Sequence, residues 1–351
     1  MIRIQACQES AVEHPSDSLN EVTATAAAAA IRDGSLTAQD YAAALLLRSR
    51  KQAGLRAFIT LDVNAVLEAA AKADQHRKSG KSMGPLHGVP IGIKDSMCTS
   101  DMPTSIGTKV LAGVRPSKDA AVVAALRAAG AILFGKNNLV EMSYGLTGVN
   151  EHHGQAKNPY DKDRVTGGSS SGAGASVGGR LVPAALGGDT VGSIRIPASL
   201  CGVVGFRPTT GRWQGNGIAP ISHTFDTPGP IARTVEDCAL LDAIVTGGAL
   251  SGASNAAGSL QGVQFGVAPR QFLDLIDTDV ERTFLETIGK LKAAGVDFVE
   301  LDLGEDFATL AEQANWPVFF HETMPHVTGY LREIGAPVTF RDVFEGLGAN
   351  L

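Results

Sequence analysis

A chain of 351 residues that is 44% hydrophobic and 19% charged, with a net charge of −6, has neither the polar make-up of a disordered segment nor the basic surface of a nucleic-acid binder. No stretch reaches the roughly 18 uninterrupted apolar residues of a membrane span. Glycine is abundant, at 41 residues, but it is clustered rather than placed at every third position, which excludes collagen.

Residues 1–18 are polar and are expected to form a flexible tail, with the folded domain over 19–351. The N-terminus lacks a basic segment followed by an apolar core, so no secretory signal is expected and the location reads as cytoplasmic. A helix is expected from Leu19 to Arg32, across the alanine run, with Gly34 as its stop. Thr37 followed by Asp40 marks the start of a second helix over the apolar run that follows. Residues 62–78 predict a third. VPIGI (89–93) reads as a buried strand ending at the polar pair Lys94–Asp95. Ser117 to Ala129 predicts a helix closed by Gly130, and AILFG a strand after it. The same alternation returns as a strand over 262–268, a helix over 279–294 and a strand over 296–301. The stretch 248–260 reads as a surface loop. Such alternation predicts an α/β layered domain with a largely parallel sheet.

The four cysteines, Cys7, Cys98, Cys201 and Cys238, show no CxxC pair and no histidine at metal spacing, so neither a metal nor a cofactor is expected. Cys201 and Cys238 lie among apolar residues and read as buried thiols. The acidic balance argues against nucleic acid and anionic membranes as partners, leaving a small molecule, with a homodimer open.

Residues 167–205 hold 11 of the 41 glycines, a density read as tight turns and exposed backbone amides. Three sites could use it. A phosphate cradle would need a lysine in register after the glycines, and none follows. A nucleophile elbow matches Gly168–Ser169–Ser170–Ser171–Gly172 in form, but a charged loop precedes it where a strand is required. The third places a nucleophile at Ser193, after the amides of Thr190, Val191 and Gly192, which could hold an oxyanion. Its base could be His152, His153, His223 or Lys94. Desolvation after an apolar strand can make a lysine basic enough in the neutral form. Taken by itself, Lys94 beside Asp95 reads as a surface ion pair.

HGVPIGIKD, GGSSSGAGAS and GDTVGSIRIPASLCGVVGFRPTTGR closely resemble the amidase signature family of Ser–Ser–Lys hydrolases, from about residue 20 onward. The resemblance implies an α/β/α fold with a central mixed sheet flanked by helices on both faces. It implies Lys94 as base, Ser169 as the bridging serine after a cis peptide, and Ser193 as acyl nucleophile. The amides of Thr190, Val191, Gly192 and Ser193 would form the oxyanion hole, and Ser170 would assist by hydrogen bonding. Asp189 and Arg195 read as an ion pair that scaffolds the loop. Ser143 maps near the acyl pocket, while Tyr144 and Phe225 read as core aromatics.

Two departures from the family pattern stand out. Val191 occupies a position where Gly or Ala is usual. If that amide must adopt positive φ, a β-branched residue distorts the hole and Val191→Gly should restore activity. The chain also ends about a hundred residues before family members do, so a C-terminally truncated domain with an uncovered edge or apolar face is expected. The segment GIAPISHTFDTPGPIARTVEDCALLDAIVTG is similar to bacterial indoleacetamide and mandelamide hydrolases, implying an arylacetamide substrate. The amidase subunit of a tRNA-dependent amidotransferase and a weakly active or non-catalytic relic are the alternatives.

Overall fold

The computed structural model describes residues 17–248 and 259–349. The tail expected over the first residues and most of the loop expected over 248–260 lie outside the described residues. The chain divides into two compact units, Met1–Leu250 with Glu322–Leu351, and Ser251–His321.

In the first unit the opening helix is split. A short 3-10 turn (Asp17–Glu21) precedes α1 (Ala24–Asp33), because Thr23 caps the Ala26 amide and starts the helix there. Gly34, at φ 87°, ends it in the left-handed conformation that glycine adopts without a Cβ clash. Thr37 caps α2 (Ala38–Lys51) as its spacing predicts, accepting from the Asp40 amide at 3.0 Å. Asp62 caps α3 (Val63–Lys78) in the same way. Strand β1 (Phe58–Thr60) lies between these two helices in sequence, and β2 (Pro90–Lys94) follows α3. α4 (Ala121–Ala128) starts later than the pattern predicts, since the extended Ala120 is held by the Cys98 carbonyl. β3 (Ile132–Asn137) comes next.

The first part of the glycine cluster is not the loop of exposed amides expected of it. Ser171–Gly178 is a helix, α5, and all of its residues are buried. Its glycines allow backbone to touch backbone. A Cβ on Gly172 would stand 2.3 Å from the Ala57 carbonyl oxygen and 2.4 Å from the Asn138 nitrogen, closer than any side chain permits. Beyond it come β4 (Ala184–Asp189), α6 (Arg195–Leu200), β5 (Val204–Gly205), β6 (Thr227–Ala232) and α7 (Val235–Thr246).

The six strands form one sheet in the order β1-β3-β2-β4-β6-β5. It is mixed, as the family resemblance implies, and not largely parallel. Only β2 pairs parallel, with β3 and β4; β6 returns antiparallel to β4, and β1 and β5 are antiparallel edges. β6 carries Pro228 and Pro230. The Pro230 carbonyl accepts from Phe206 on the β5 side, and β5 pairs with β6 only at Ala232 and Ile231, so the missing proline N–H groups break no ladder bond. α5 packs on β2, β3 and β4, and α7 on β6. The core is built from Ile91, Ile93, Phe134, Leu186 and Ile231 with the apolar faces of the helices. The last part of α10 (Phe307–Glu333) and α11 (Phe340–Glu345) complete this unit, adding Val327, Tyr330 and Val343 to the core.

Within the second unit, β7 (Gln264–Val267) and β8 (Asp297–Glu300) pair parallel as a two-stranded sheet. The helices α8 (Pro269–Phe272) and α9 (Thr278–Ala293) lie between them in sequence, α9 capped by Asp277.

Candidate active site

β2 is buried along its whole length, and it therefore carries its last side chain, Lys94, into the interior. Lys94 Nζ donates to Ser169 Oγ at 2.7 Å. Burial pulls its pKa down from 10.5 to about 7, against the opposing pull of Asp226 and Asp189. The neighbouring residue does not pair with it. Asp95 instead forms an ion pair with Lys136 Nζ on β3 at 3.2 Å, with both side chains buried. The surface ion pair expected from Lys94–Asp95 is thus replaced by a buried pair between the end of β2 and the neighbouring strand β3. Lys136 also donates to the Met97 carbonyl and Thr104 Oγ1, while Ser105 donates to Asp95 at 2.5 Å. These bonds satisfy the Lys136 ammonium and one oxygen of Asp95, while Asp95 Oδ1 faces the ammonium as an ion pair without a hydrogen bond among the described residues. Lys94 forms no ion pair among the described residues, and desolvation outweighs the more distant pull of Asp226 and Asp189.

Ser169 follows a cis peptide bond from Gly168 and is fully buried. Its carbonyl accepts from the Val140 amide at 3.1 Å, fixing the turn that carries Met142 and Ser143. Those two residues have φ of 53° and 62°, a strained pair for non-glycine residues. Ser170 makes its hydrogen bonds to the protein backbone. Its hydroxyl donates to the Gly188 carbonyl and accepts from the Gly188 amide, each at 3.2 Å, and so braces β4. Its amide donates to the Ser193 carbonyl at 3.2 Å, bringing the two serine segments together. The Ser193 hydroxyl makes no hydrogen bond among the described residues.

The loop from β4 to α6 is organised by Asp189. Its carboxylate accepts from Arg195 Nε at 3.0 Å, Arg207 Nη1 at 3.1 Å and the Gly192 amide at 2.7 Å. Burial opposes its ionisation, but Arg195 and the amides of Ile194 and Gly192 hold the carboxyl below its usual range. The scaffold expected of Asp189 and Arg195 is present, with Arg207 as a further member. Because the Gly192 amide is taken by Asp189, the expected set of four oxyanion donors shrinks. The amides of Thr190, Val191 and Ser193 have no partner among the described residues. The strain expected at Val191 is absent: the positive φ of this loop, 132°, falls on Gly192. Val191 adopts none and is partly exposed.

A cavity of about 610 Å³ opens beside these residues, with Lys94, Ser143, Gly188, Thr190 and Asp226 in its wall. Trp213, Ile218, Ile221 and Tyr330 give it an apolar side, and the His223 and His326 rings meet edge to face there at 3.8 Å between centroids. Tyr144 and Phe225 are half-buried and lie outside its lining. None of the histidines considered hydrogen-bonds Ser169 or Ser193 among the described residues, although His223 stands in the cavity wall. His152 pairs with the buried Glu141 at 2.9 Å, and burial lowers His153. Cys98, Cys201 and Cys238 are buried free thiols, whereas Cys7 lies outside the described residues. No group of metal-ligating side chains occurs among the described residues.

The sequence pattern of the Amidase family matches residues 41–344. The chain belongs to the amidase signature family. It is 38% identical to a mandelamide hydrolase of Pseudomonas putida, over 94% of this chain and 65% of that one. An indoleacetamide hydrolase of Pseudomonas savastanoi is 36% identical, over 87% of this chain and 65% of its own. A glutamyl-tRNA(Gln) amidotransferase subunit of Chloroflexus aurantiacus is 40% identical, over 80% and 60%. The chain therefore spans less than two thirds of the length of these curated relatives. Among solved structures, the native peptide amidase of Stenotrophomonas maltophilia superposes with a TM-score of 0.83 at 30% identity, covering 94% of this chain and 72% of that one.

Within this amidase-family site, sequence reasoning passes over Lys136, Arg207 and Asp226. Lys136 follows the predicted strand AILFG directly, where a polar residue reads as the strand's solvated end. Arg207 stands in the quoted FRPTTGR motif and could have been read as a second counter-ion for Asp189. Asp226 carried no signal that tied it to a loop 36 positions upstream.

Proposed function

We propose that this chain carries the acyl-transfer site of an amidase that hydrolyses a small carboxamide to the acid and ammonia. The observation that carries this reading is the fully buried Lys94, without an ion pair among the described residues, held 2.7 Å from the Ser169 hydroxyl. Neutral Lys94 accepts the Ser169 proton as Ser169 takes that of Ser193, and Ser193 Oγ bonds to the amide carbon. The carbonyl π electrons move onto oxygen, where the amides of Thr190, Val191 and Ser193 stabilise the charge. The C–N bond then breaks as the relay delivers its proton to nitrogen, releasing ammonia. Water attacks the acyl-enzyme by the same relay run in the same sense, and Ser193 recovers its proton.

An arylacetamide is the substrate class that fits. The relatives named for mandelamide and indoleacetamide support it, as does a cavity walled by Trp213, Tyr330, Ile218 and Ile221. Glutamine is the second reading, favoured by the identity to amidotransferase subunits. The apolar side chains of Trp213, Ile218 and Ile221 in the cavity wall weigh against it, since they cannot solvate the charges of a zwitterion. A fluorophosphonate probe should label Ser193, and Ser193→Ala should abolish the label. Ammonia release should follow from phenylacetamide, mandelamide or indoleacetamide and not from glutamine. A probe that labels Ser193→Ala as well as the parent overturns the nucleophile assignment; glutamine as the fastest amide overturns the substrate class.

A further inference from the structure

Thr190 opens the loop after β4, and its side chain points out of that loop. Oγ1 donates to Asp226 Oδ1 at 2.7 Å. The other oxygen of the same carboxylate closes a turn, accepting the amides of Ile221 at 2.7 Å and Ser222 at 2.9 Å. That turn is fixed elsewhere too. The hydroxyls of Ser222 and Thr224 both donate to Glu322, and Arg207 donates to the Phe225 carbonyl at 3.0 Å while also binding the Asp189 carbonyl at 2.5 Å. Ile221, His223 and Asp226 all stand in the cavity wall. A single carboxylate thus joins the wall against which an acyl group would pack to the loop whose amides would hold the oxyanion.

Resting on the hydrolase reading above, we infer that Asp226 is a positioning residue of this site, setting the Thr190 end of the oxyanion loop in register with the acyl-pocket wall. The loop is anchored at Gly192 through Asp189, and that glycine, at φ 132°, leaves the preceding two residues free to pivot. The Thr190 hydroxyl is the second anchor. Two anchors, one at each end, fix the amides between them. Three donors converge on the Asp226 carboxylate, and such charge-assisted bonds are shorter and stiffer than neutral ones. Donor placement errors of about 1 Å cost roughly a hundredfold in rate, so a clamp on this loop acts on the chemistry without touching the reacting atoms.

Asp226 also faces Lys94 across the cavity, so a charge role must be separated from a positioning role. Thr190→Val does this, since it keeps the carboxylate and removes only the hydroxyl. The readout is the second-order rate of Ser193 phosphonylation by a fluorophosphonate, with thermal melting in parallel, for the parent, Thr190→Val, Thr190→Ser, Asp226→Asn and the Val/Asn double variant. Thr190→Val should slow labelling roughly tenfold or more. Thr190→Ser should recover most of that loss, and the double variant should be no slower than Asp226→Asn alone. Parental labelling rates in Thr190→Val, or losses that multiply in the double variant, overturn the inference. If Asp226→Asn does not fold, the Thr190 pair decides. A parent chain that takes no label at Ser193 overturns the hydrolase reading itself, whereas a labelled parent with indifferent variants overturns this inference alone.

Discussion

Lys94 offers a test in which rate and stability must move together with pH. Its pKa falls from 10.5 to about 7 on burial, so at about pH 6 roughly a tenth of the folded molecules carry the neutral amine and at about pH 8 roughly nine tenths do. Phosphonylation of Ser193 should therefore climb close to tenfold per unit on the acid side and level off above about pH 8. Stability follows the same group. Below about pH 7 folded and unfolded chains both hold the proton, and the folded state bears the whole cost of a buried ammonium. From there to about pH 10.5 the unfolded chain still binds the proton while the folded chain has lost it, so stability rises with pH. Lys94→Met has no proton to lose. Between about pH 7 and pH 9 the parent should gain about 2 to 3 kcal/mol relative to Lys94→Met. Urea denaturation of both proteins at the two pH values measures the difference. A parent-to-variant gap that does not change with pH, or a labelling rate that begins to rise only near pH 10, would refute the claim that an unpaired, desolvated amine serves as base.

Three further outcomes follow from the packing and the loop geometry. Gly172→Ala places a methyl 2.3 Å from the Ala57 carbonyl, and thermal melting should register a loss of about 1 to 3 kcal/mol or more; an unchanged melting temperature contradicts the backbone contact. Lys136→Met leaves Asp95 buried and unpaired, and denaturation should show a loss of about 3 to 5 kcal/mol, partly recovered in Lys136→Met with Asp95→Asn. Val191→Gly should not restore activity. With no positive φ to relieve, the added glycine only loosens the loop, and labelling should slow roughly two- to fivefold; a faster variant would reinstate strain at Val191.

Much of this site could be read from residues adjacent in sequence. Lys94, by itself read as half of a surface ion pair, and Ser169 after paired glycines stand out through motifs that resemble a family, and such motifs are contiguous stretches that survive without knowledge of the fold. The caps at Thr37 and the stop at Gly34 are legible for the same reason. What escaped was set by pairing across the sheet. Asp95 finds Lys136 and Thr190 finds Asp226 only after strands align, and nothing in either stretch announces the partner. Intrinsic propensity also pointed the wrong way twice. Glycine-rich Ser171–Gly178 becomes a helix and proline-bearing Thr227–Ala232 a central strand, because burial and close approach outweigh propensities of about 1 kcal/mol per residue.

The buried glycine helix α5 has a consequence for how this site can change. A helix that rests backbone against backbone has no layer of side chains through which neighbouring substitutions could compensate one another. Each added carbon on Gly172 or Gly174 meets main chain or Pro197, and the displacement would pass straight to Ser169 and Ser170, which directly precede it. The stretch from Gly215 to Pro220, by contrast, presents residues to an open cavity outside the Asp226 network and can exchange them one at a time. New acyl specificities should therefore arise by substitution in that wall, while the serine-bearing scaffold stays fixed as a single inherited piece.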